Sequence, residues 1–416
     1  MRKLCFILVC GFMLLLWQGC GLLDEPVVSQ WELTSTTDVG TALRETLWTR
    51  DFAPSAKYMK VGLRRLRLRN GPADQGVVVY LPPSGTSAQL YTTSENYDFR
   101  IYLANRGYDV FSVDYRSSFI AEGETDLSSL AGFRTSVTLS DIQNAIAQVK
   151  ELTGVAKVFL AGHSTGARYV YLYACARWEQ DLAGMIPMDG SPWEMNGSPE
   201  AQNKMNIEEG YAALAAGDSA ANRELFASWG MEPGEFYYDV AITNFAPEFS
   251  GAVSSYYTDG PGAASPVPGF ATVTDYIADQ FYTVWGDKQL TNVLNGYATV
   301  EILLDFVTQA GVDHWPLVDY LEDAYLGNWV GDPPVGQLQF INNIGSVDIP
   351  ILVFSSKEWT DALGYQYRWK YEGYEMIKST DRQYVLLDGF GHLDILVGEY
   401  ARDRVYEVLY NWLQAR

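Results

Sequence analysis

The stretch LAGHSTGARYVYLYA, Leu160 to Ala174, sets a serine between two glycines. The apolar run AKVFLA, Ala156 to Ala161, leads into it, and ARYVYLYACARW, from Ala167, leads out. The first run reads as a strand buried on both faces and the second as a helix. Ser164 therefore stands on a strand-to-helix turn of the form G-x-S-x-G. The pattern has a steric logic: the serine sits on a strained turn, and the flanking glycines let neighbouring backbone approach where a Cβ would clash. The helix N-terminus aims its free amides at the same spot, so the amide of Thr165 is placed to stabilise a developing oxyanion.

Outward from this turn, short apolar runs alternate with amphipathic segments. GVVVYL (Gly76 to Leu81), YDVFSV (Tyr108 to Val113), AGMIPM (Ala183 to Met188), IPILVF (Ile349 to Phe354) and QYVLL (Gln383 to Leu387) read as further buried strands. YDFRIYLANRG and LSDIQNAIAQVKELTG read as crossover helices, the latter with Ile142, Ala145, Ile146 and Val149 on one face. The C-terminal GEYARDRVYEVLYNWLQAR repeats Val405, Val408, Leu409 and Trp412 at helical spacing, as a closing helix would. This order predicts an α/β fold, a doubly wound, mostly parallel sheet. The interval from Gly190 to about Gly345 breaks the rhythm with helix-rich, aromatic sequence and the turn-rich GPGAASPVPG, and reads as a large helical cap insertion. The expected organisation is a signal over 1–19, an N-terminal segment over 20–60, core over 61–190, cap over 191–344 and core again over 345–416.

The 416 residues are 48% hydrophobic and 14% aromatic, the composition of an ordered globule, and carry a net charge of −22. A phosphate backbone is repelled by that surface, so nucleic acid is excluded as a partner. One basic cluster, LRRLRLRN at Leu63 to Asn70, runs against the trend. In an extended strand Arg65, Arg67 and Arg69 share one face and Leu66 and Leu68 the other, so it reads as a half-exposed strand rather than an anion site.

At the N-terminus, Arg2 and Lys3 precede an apolar run from Leu4 to Trp17, too short to span a bilayer comfortably and of secretory type. Its end, with Gly19 before Cys20, resembles the bacterial lipoprotein cleavage motif, although Trp17 stands where that motif usually has leucine. The resemblance implies lipid on Cys20, an anchor in the membrane and a place at the cell envelope. Ordinary secretion and an uncleaved anchor are the alternatives. Cys5 and Cys10 fall inside the signal, which leaves Cys175 alone in the body, read as a small buried hydrophobe.

A serine needs a base to become nucleophilic, and the chain has three histidines. His163 adjoins Ser164 on a tight turn and reads as a packing or hydrogen-bonding residue. His314, in VDHWP of the cap interval, reads as a packed or surface residue. His392 stands in LLDGFGHLDILVG, a glycine-flanked loop between the last strand and the last helix, where a short connection delivers a side chain over the sheet edge.

A doubly wound sheet with GHSTG after a central strand, an insertion, and GFGHLD after the last strand resembles the α/β-hydrolase family, and GHLD with the following VGEYARDRVY is most similar to its lipases and esterases. The likeness covers roughly Val61 to Gly190 and Gly345 to Arg416. It implies a carboxylic ester hydrolase with Ser164 as nucleophile and His392 as base. The family usually draws the acid from just after the strand preceding the histidine strand. Here IPILVF is followed by SSKEWTDALG, which offers Asp361, the preferred residue, and Glu358; Asp189 in PMDGSPWE is a third choice. Asp394 is read as a loop-organising carboxylate. The second oxyanion donor would come from LPPSGTSA, from Ser84 to Thr86, with the amides of Gly85 and Thr86 in view; Pro82 and Pro83 have no N–H.

No H-x-x-x-H, C-x-x-C, G-x-G-x-x-G or phosphate loop occurs, so no metal and no cofactor is expected. Two other readings stay open: a surface-tethered, non-catalytic binding protein on the same scaffold, and a peptidase or acyltransferase of the same fold.

Overall fold

The computed structural model describes residues 30–53, 57–83, 86–120, 128, 133–192, 248–285, 300–304, 341–357 and 368–416. Among them nine strands form one sheet: β1 (Glu32–Val39), β2 (Leu43–Asp51), β3 (Lys60–Leu68), β4 (Val77–Leu81), β5 (Asp109–Asp114), β6 (Val158–His163), β7 (Leu182–Met188), β8 (Ile351–Ser356) and β9 (Arg382–Leu387). Their order across the sheet is β1-β2-β3-β5-β4-β6-β7-β8-β9. From β5 to β9 every pair is parallel; β1 to β3 are antiparallel, and β3 joins β5 antiparallel. The expected doubly wound α/β sheet is therefore present, with each parallel strand starting within a residue or two of its apolar run.

The helices are α1 (Phe99–Ala104), α2 (Thr135–Thr153), α3 (Thr165–Asp181), α4 (Phe249–Asp259), α5 (Val273–Trp285), α6 (Arg368–Met376), α7 (Asp394–Val397) and α8 (Glu407–Gln414). They cover both faces of the sheet, and the alternation of side chains along each strand sorts the core into two layers. On one face Val78, Tyr80, Val110, Ile186 and Phe354 meet α1 and the C-terminal Val405, Leu409 and Trp412. On the other Val79, Phe111, Leu160, Met185 and Val353 meet α2, through Leu139, Ile142, Ala145, Ile146 and Val149, and α3. β4 to β8, buried on both faces, have no polar alternation to show, which is why they read as continuous apolar runs; β9, also read as buried, is instead an edge strand with only Leu387 fully buried.

The sheet reaches further toward the N-terminus than the apolar runs indicate. β1, ELTSTTDV, is an edge strand exposed along nearly its whole length, so burial imposes no apolar pattern on it, and β2 is mostly half-buried. The basic strand β3 is half-exposed as expected, with Leu66 buried and Arg67 exposed. Its cations are neutralised in place: Arg64 pairs with Asp114 at 2.7 Å and Glu45 at 3.2 Å, Arg65 with Asp109, and Arg69 with Asp38 at 3.4 Å. Cys175 lies buried in α3, and burial pushes its thiol up to about 12, far from a reactive thiolate.

In the interval between β7 and β8, α4 and α5 pack on each other, with Phe249 and Phe281 in edge contact at 5.9 Å, around the bridged turn of GPGAASPVPG. Of the rest of the expected cap only 191–192, 300–304 and 341–344 are described, with Leu303 and Leu304 buried; the signal, Cys20 and His314 lie outside the described residues. Among the described residues no helix is long and apolar enough to cross a membrane.

Candidate active site

The parallel strands all point their carboxyl ends the same way, and at the end of β6 the chain turns sharply into α3. Ser164 makes that turn with φ 56° and ψ −121°, a left-handed conformation that costs a non-glycine residue about 1–3 kcal/mol and persists only where its surroundings enforce it. Two backbone contacts enforce it here. The Ser164 amide donates to the Met188 carbonyl at the end of β7, 3.0 Å away. Gly166 lies against the Leu81 and Pro82 carbonyls so closely that a Cβ would overlap them. That approach seats the first turn of α3 on the end of β4, where the loop toward Thr86 begins. Ser164 itself remains partly exposed.

Thr165 heads α3, where the first amides have no acceptor within the helix. Thr86, in the loop after β4, is buried, and its hydroxyl donates to the Pro83 carbonyl at 2.9 Å. Among the described residues the Thr86 amide meets no protein acceptor. A small cavity beside this loop is lined by Tyr80, Pro83, Thr86, Arg100 and Leu396.

His392 sits between β9 and α7, 5% exposed. Its Nδ1 is 2.6 Å from Oδ2 of Asp189, the residue that follows β7. A carboxylate accepts, so Nδ1 carries the proton and Nε2 is left with its lone pair, the form a general base needs. Asp189 is fully buried and has φ 52°. Its Oδ1 accepts from the Ser356 amide at 2.7 Å, and its Oδ2 also accepts from the Ser356 hydroxyl at 2.6 Å. Its own amide donates to the Phe354 carbonyl at 2.8 Å, which ties it to β8. In each of these contacts the carboxylate meets a donor, as an ionised group requires.

His163 and Asp394 organise the histidine loop. The Nε2 of His163 donates to the His392 carbonyl at 2.9 Å, and the two rings lie 4.4 Å apart. Oδ2 of Asp394 accepts from the Gly391 amide at 2.7 Å, and burial pushes this carboxyl up to about 7. The hydrogen-bonding reading of His163 and the loop-organising reading of Asp394 correspond to these contacts. Ligand atoms of His163, Asp189 and His392 lie within 4.8 Å of one another. In this group the His392 Nδ1 proton is engaged by Asp189 and the His163 Nε2 proton by the His392 carbonyl.

Of the residues expected from sequence, Ser164, Thr165, Thr86 and His392 come to the same end of the sheet. Asp361 and Glu358 lie outside the described residues, as do Ser84 and Gly85. Among the described residues the carboxylate on His392 is Asp189, the third choice. Ser356, which supplies two of the donors to Asp189, had no signal in the sequence beyond its place at the end of an apolar run.

A model of a family described as "Alpha/beta hydrolase family" matches residues 78–325. Among solved structures the chain is similar to a "putative lipase" from Sulfolobus solfataricus, 21% identical, with 93% of this chain and 100% of that one covered and a TM-score of 0.63. It is also similar to a thermophilic esterase from Thermogutta terrifontis, 13% identical, covering 93% of this chain and 99% of that one, with a TM-score of 0.43. No curated protein sequence matches.

Proposed function

The chain belongs to the alpha/beta hydrolase family, and from that premise we propose that it is a serine hydrolase that cleaves carboxylic esters through an acyl-enzyme on Ser164. His392 Nε2 takes the Ser164 Oγ proton as Oγ attacks the ester carbonyl carbon. The oxyanion that forms is held by the amides of Thr165 and Thr86. Collapse of the tetrahedral intermediate breaks the bond to the alcohol, which leaves with the proton from His392, and water then releases the acid by the same steps in reverse. Asp189 keeps the imidazole in the Nδ1–H form and stabilises the imidazolium.

The observation that carries this reading is the 2.6 Å contact of His392 with buried Asp189, beside a serine held in a strained turn whose amide is bonded to the strand that delivers Asp189. Ester rather than amide substrates follow the lipase and esterase among the similar structures. Incubation with a fluorophosphonate probe tests it: wild type is labelled at Ser164 and hydrolyses p-nitrophenyl esters faster than aminoacyl anilides, and Ser164→Ala does neither. Unlabelled wild-type protein, alongside a control esterase that reacts, would end the proposal.

The pattern from Arg2 to Cys20 extends the proposal to location, with a lipid on Cys20 holding the enzyme at the cell envelope. Full-length protein made in a bacterial host then partitions into the detergent phase of Triton X-114, and Cys20→Ser moves to the aqueous phase. Equal partitioning of the two would remove the anchor.

A further inference from the structure

Both backbone polar groups of Ala88, two residues past Thr86, are gripped by buried charge. The Ala88 amide donates to Oδ1 of Asp114 at 2.7 Å, and its carbonyl accepts from Nη1 of Arg100 at 2.7 Å. Nη2 of Arg100 reaches the next carbonyl, Gln89, at 3.1 Å. Arg100 is 4% exposed. The rest of its fork is filled by Asp98, with Nε to Oδ1 at 2.9 Å and Nη2 to Oδ2 at 2.6 Å, and Asp98 also caps α1 by accepting from the Arg100 amide at 2.8 Å. On the other side, Oδ2 of Asp114 takes Nε of Arg64 at 2.7 Å, and Arg64 reaches back to Glu45. One chain of charges, Glu45, Arg64, Asp114, then Arg100 and Asp98, thus runs from β2, β3 and β5 through a two-residue piece of loop to α1.

Such an arrangement is an expensive way to stabilise a fold, because ions removed from water regain their solvation only through well-made contacts. It is an effective way to fix a loop. The described residues of this loop, 82–83 and 86–90, belong to no strand or helix, and Pro82 and Pro83 lack amides altogether. A group that must meet a developing oxyanion within a few tenths of an ångström needs a rigid support. Arginine's planar fork can hold two carbonyls and a carboxylate together; the single ammonium of lysine cannot.

We propose that Arg100, with Asp114 opposing it, is a positioning residue for the oxyanion hole, holding the Thr86 amide in register through the Ala88 and Gln89 backbone. This rests on the ester-hydrolase reading above. The test compares an aryl ester with its thionoester, whose sulfur accepts hydrogen bonds poorly and so draws little from the oxyanion donors. Arg100→Lys lowers kcat for the oxygen ester by about tenfold or more with KM within about twofold. Turnover of the thionoester changes little, so the oxo-to-thiono ratio falls by the same factor.

Asp114→Asn, which loosens the grip from the other side, shifts the ratio in the same direction and serves if Arg100→Lys does not fold, as judged by thermal unfolding. A merely structural role lowers both esters in parallel, and an unchanged or parallel response in a folded variant overturns the inference. The two proposals fail differently: a wild type that neither labels nor turns over ester sinks the hydrolase reading, whereas an active wild type with variants of unchanged ratio sinks this one alone.

Discussion

Asp189 follows the run AGMIPM in sequence, and the two acids weighed against it, Asp361 and Glu358, follow the run IPILVF, so nothing in the local sequence separates them. The requirement on this acid is a distance to an imidazole 203 residues further along the chain, and a distance of that kind leaves no trace in neighbouring residues. Ser164 is the opposite case, because a strained turn leaves its mark in the glycines beside it. Asp394 carries a testable consequence of burial. Its carboxyl is raised from 3.8 to about 7, so between those values the folded protein holds a proton that the unfolded chain has released. Stability therefore falls as pH rises from about 4 to 7 and levels off above, by up to roughly 4 kcal/mol for a three-unit shift. Urea midpoints at pH 5 and pH 8 check this. Asp394→Asn, whose amide oxygen can still accept from Gly391, should show a smaller fall between the two than wild type, and equal falls would mean that Asp394 is ionised throughout.

The turn at β6 to α3 is built by close approach of backbones rather than by side-chain packing. At Gly190 a Cβ would overlap the Ser164 carbonyl and stand 2.7 Å from Cβ of Ala167. Neither neighbour is a flexible side-chain end, so room can come only from moving the turn. Gly190→Ala is expected to cost about 1–3 kcal/mol in urea unfolding and to slow probe labelling of Ser164; unchanged labelling with lost stability would show that the serine tolerates the shift. The other elements differ in legibility for a plain reason. α2 has one buried face, with Ile142, Ala145, Ile146 and Val149 all at 1% exposure or less, and such a face imposes its period on the sequence. β1 has no buried face and imposes none.

Over the described residues the sheet divides two apolar layers and carries Ser164, Asp189 and His392 at one end. The net charge of −22 is spread so that the basic strand β3 is answered by Asp109, Asp114, Glu45 and Asp38. One of these pairings does more than neutralise: Arg64–Asp114 continues into the clamp on Ala88. The cluster LRRLRLRN, read from the sequence as a half-exposed strand rather than an anion site, also supports the loop after β4, through Arg64 and Asp114.

Periodicity and turn chemistry in this chain were enough to show a parallel α/β sheet, a serine on a strand-to-helix turn and a histidine on the last loop, because burial on two faces and steric crowding at a turn act on residues adjacent in sequence. The partner of His392, the role of Ser356, the hydrogen bond from His163 to the histidine loop and the grip of Arg100 on Ala88 emerged only once the strands were in register. Each joins residues that the chain brings together from separate elements, and short-range sequence pattern records what each segment must bury, not which distant atom it must meet.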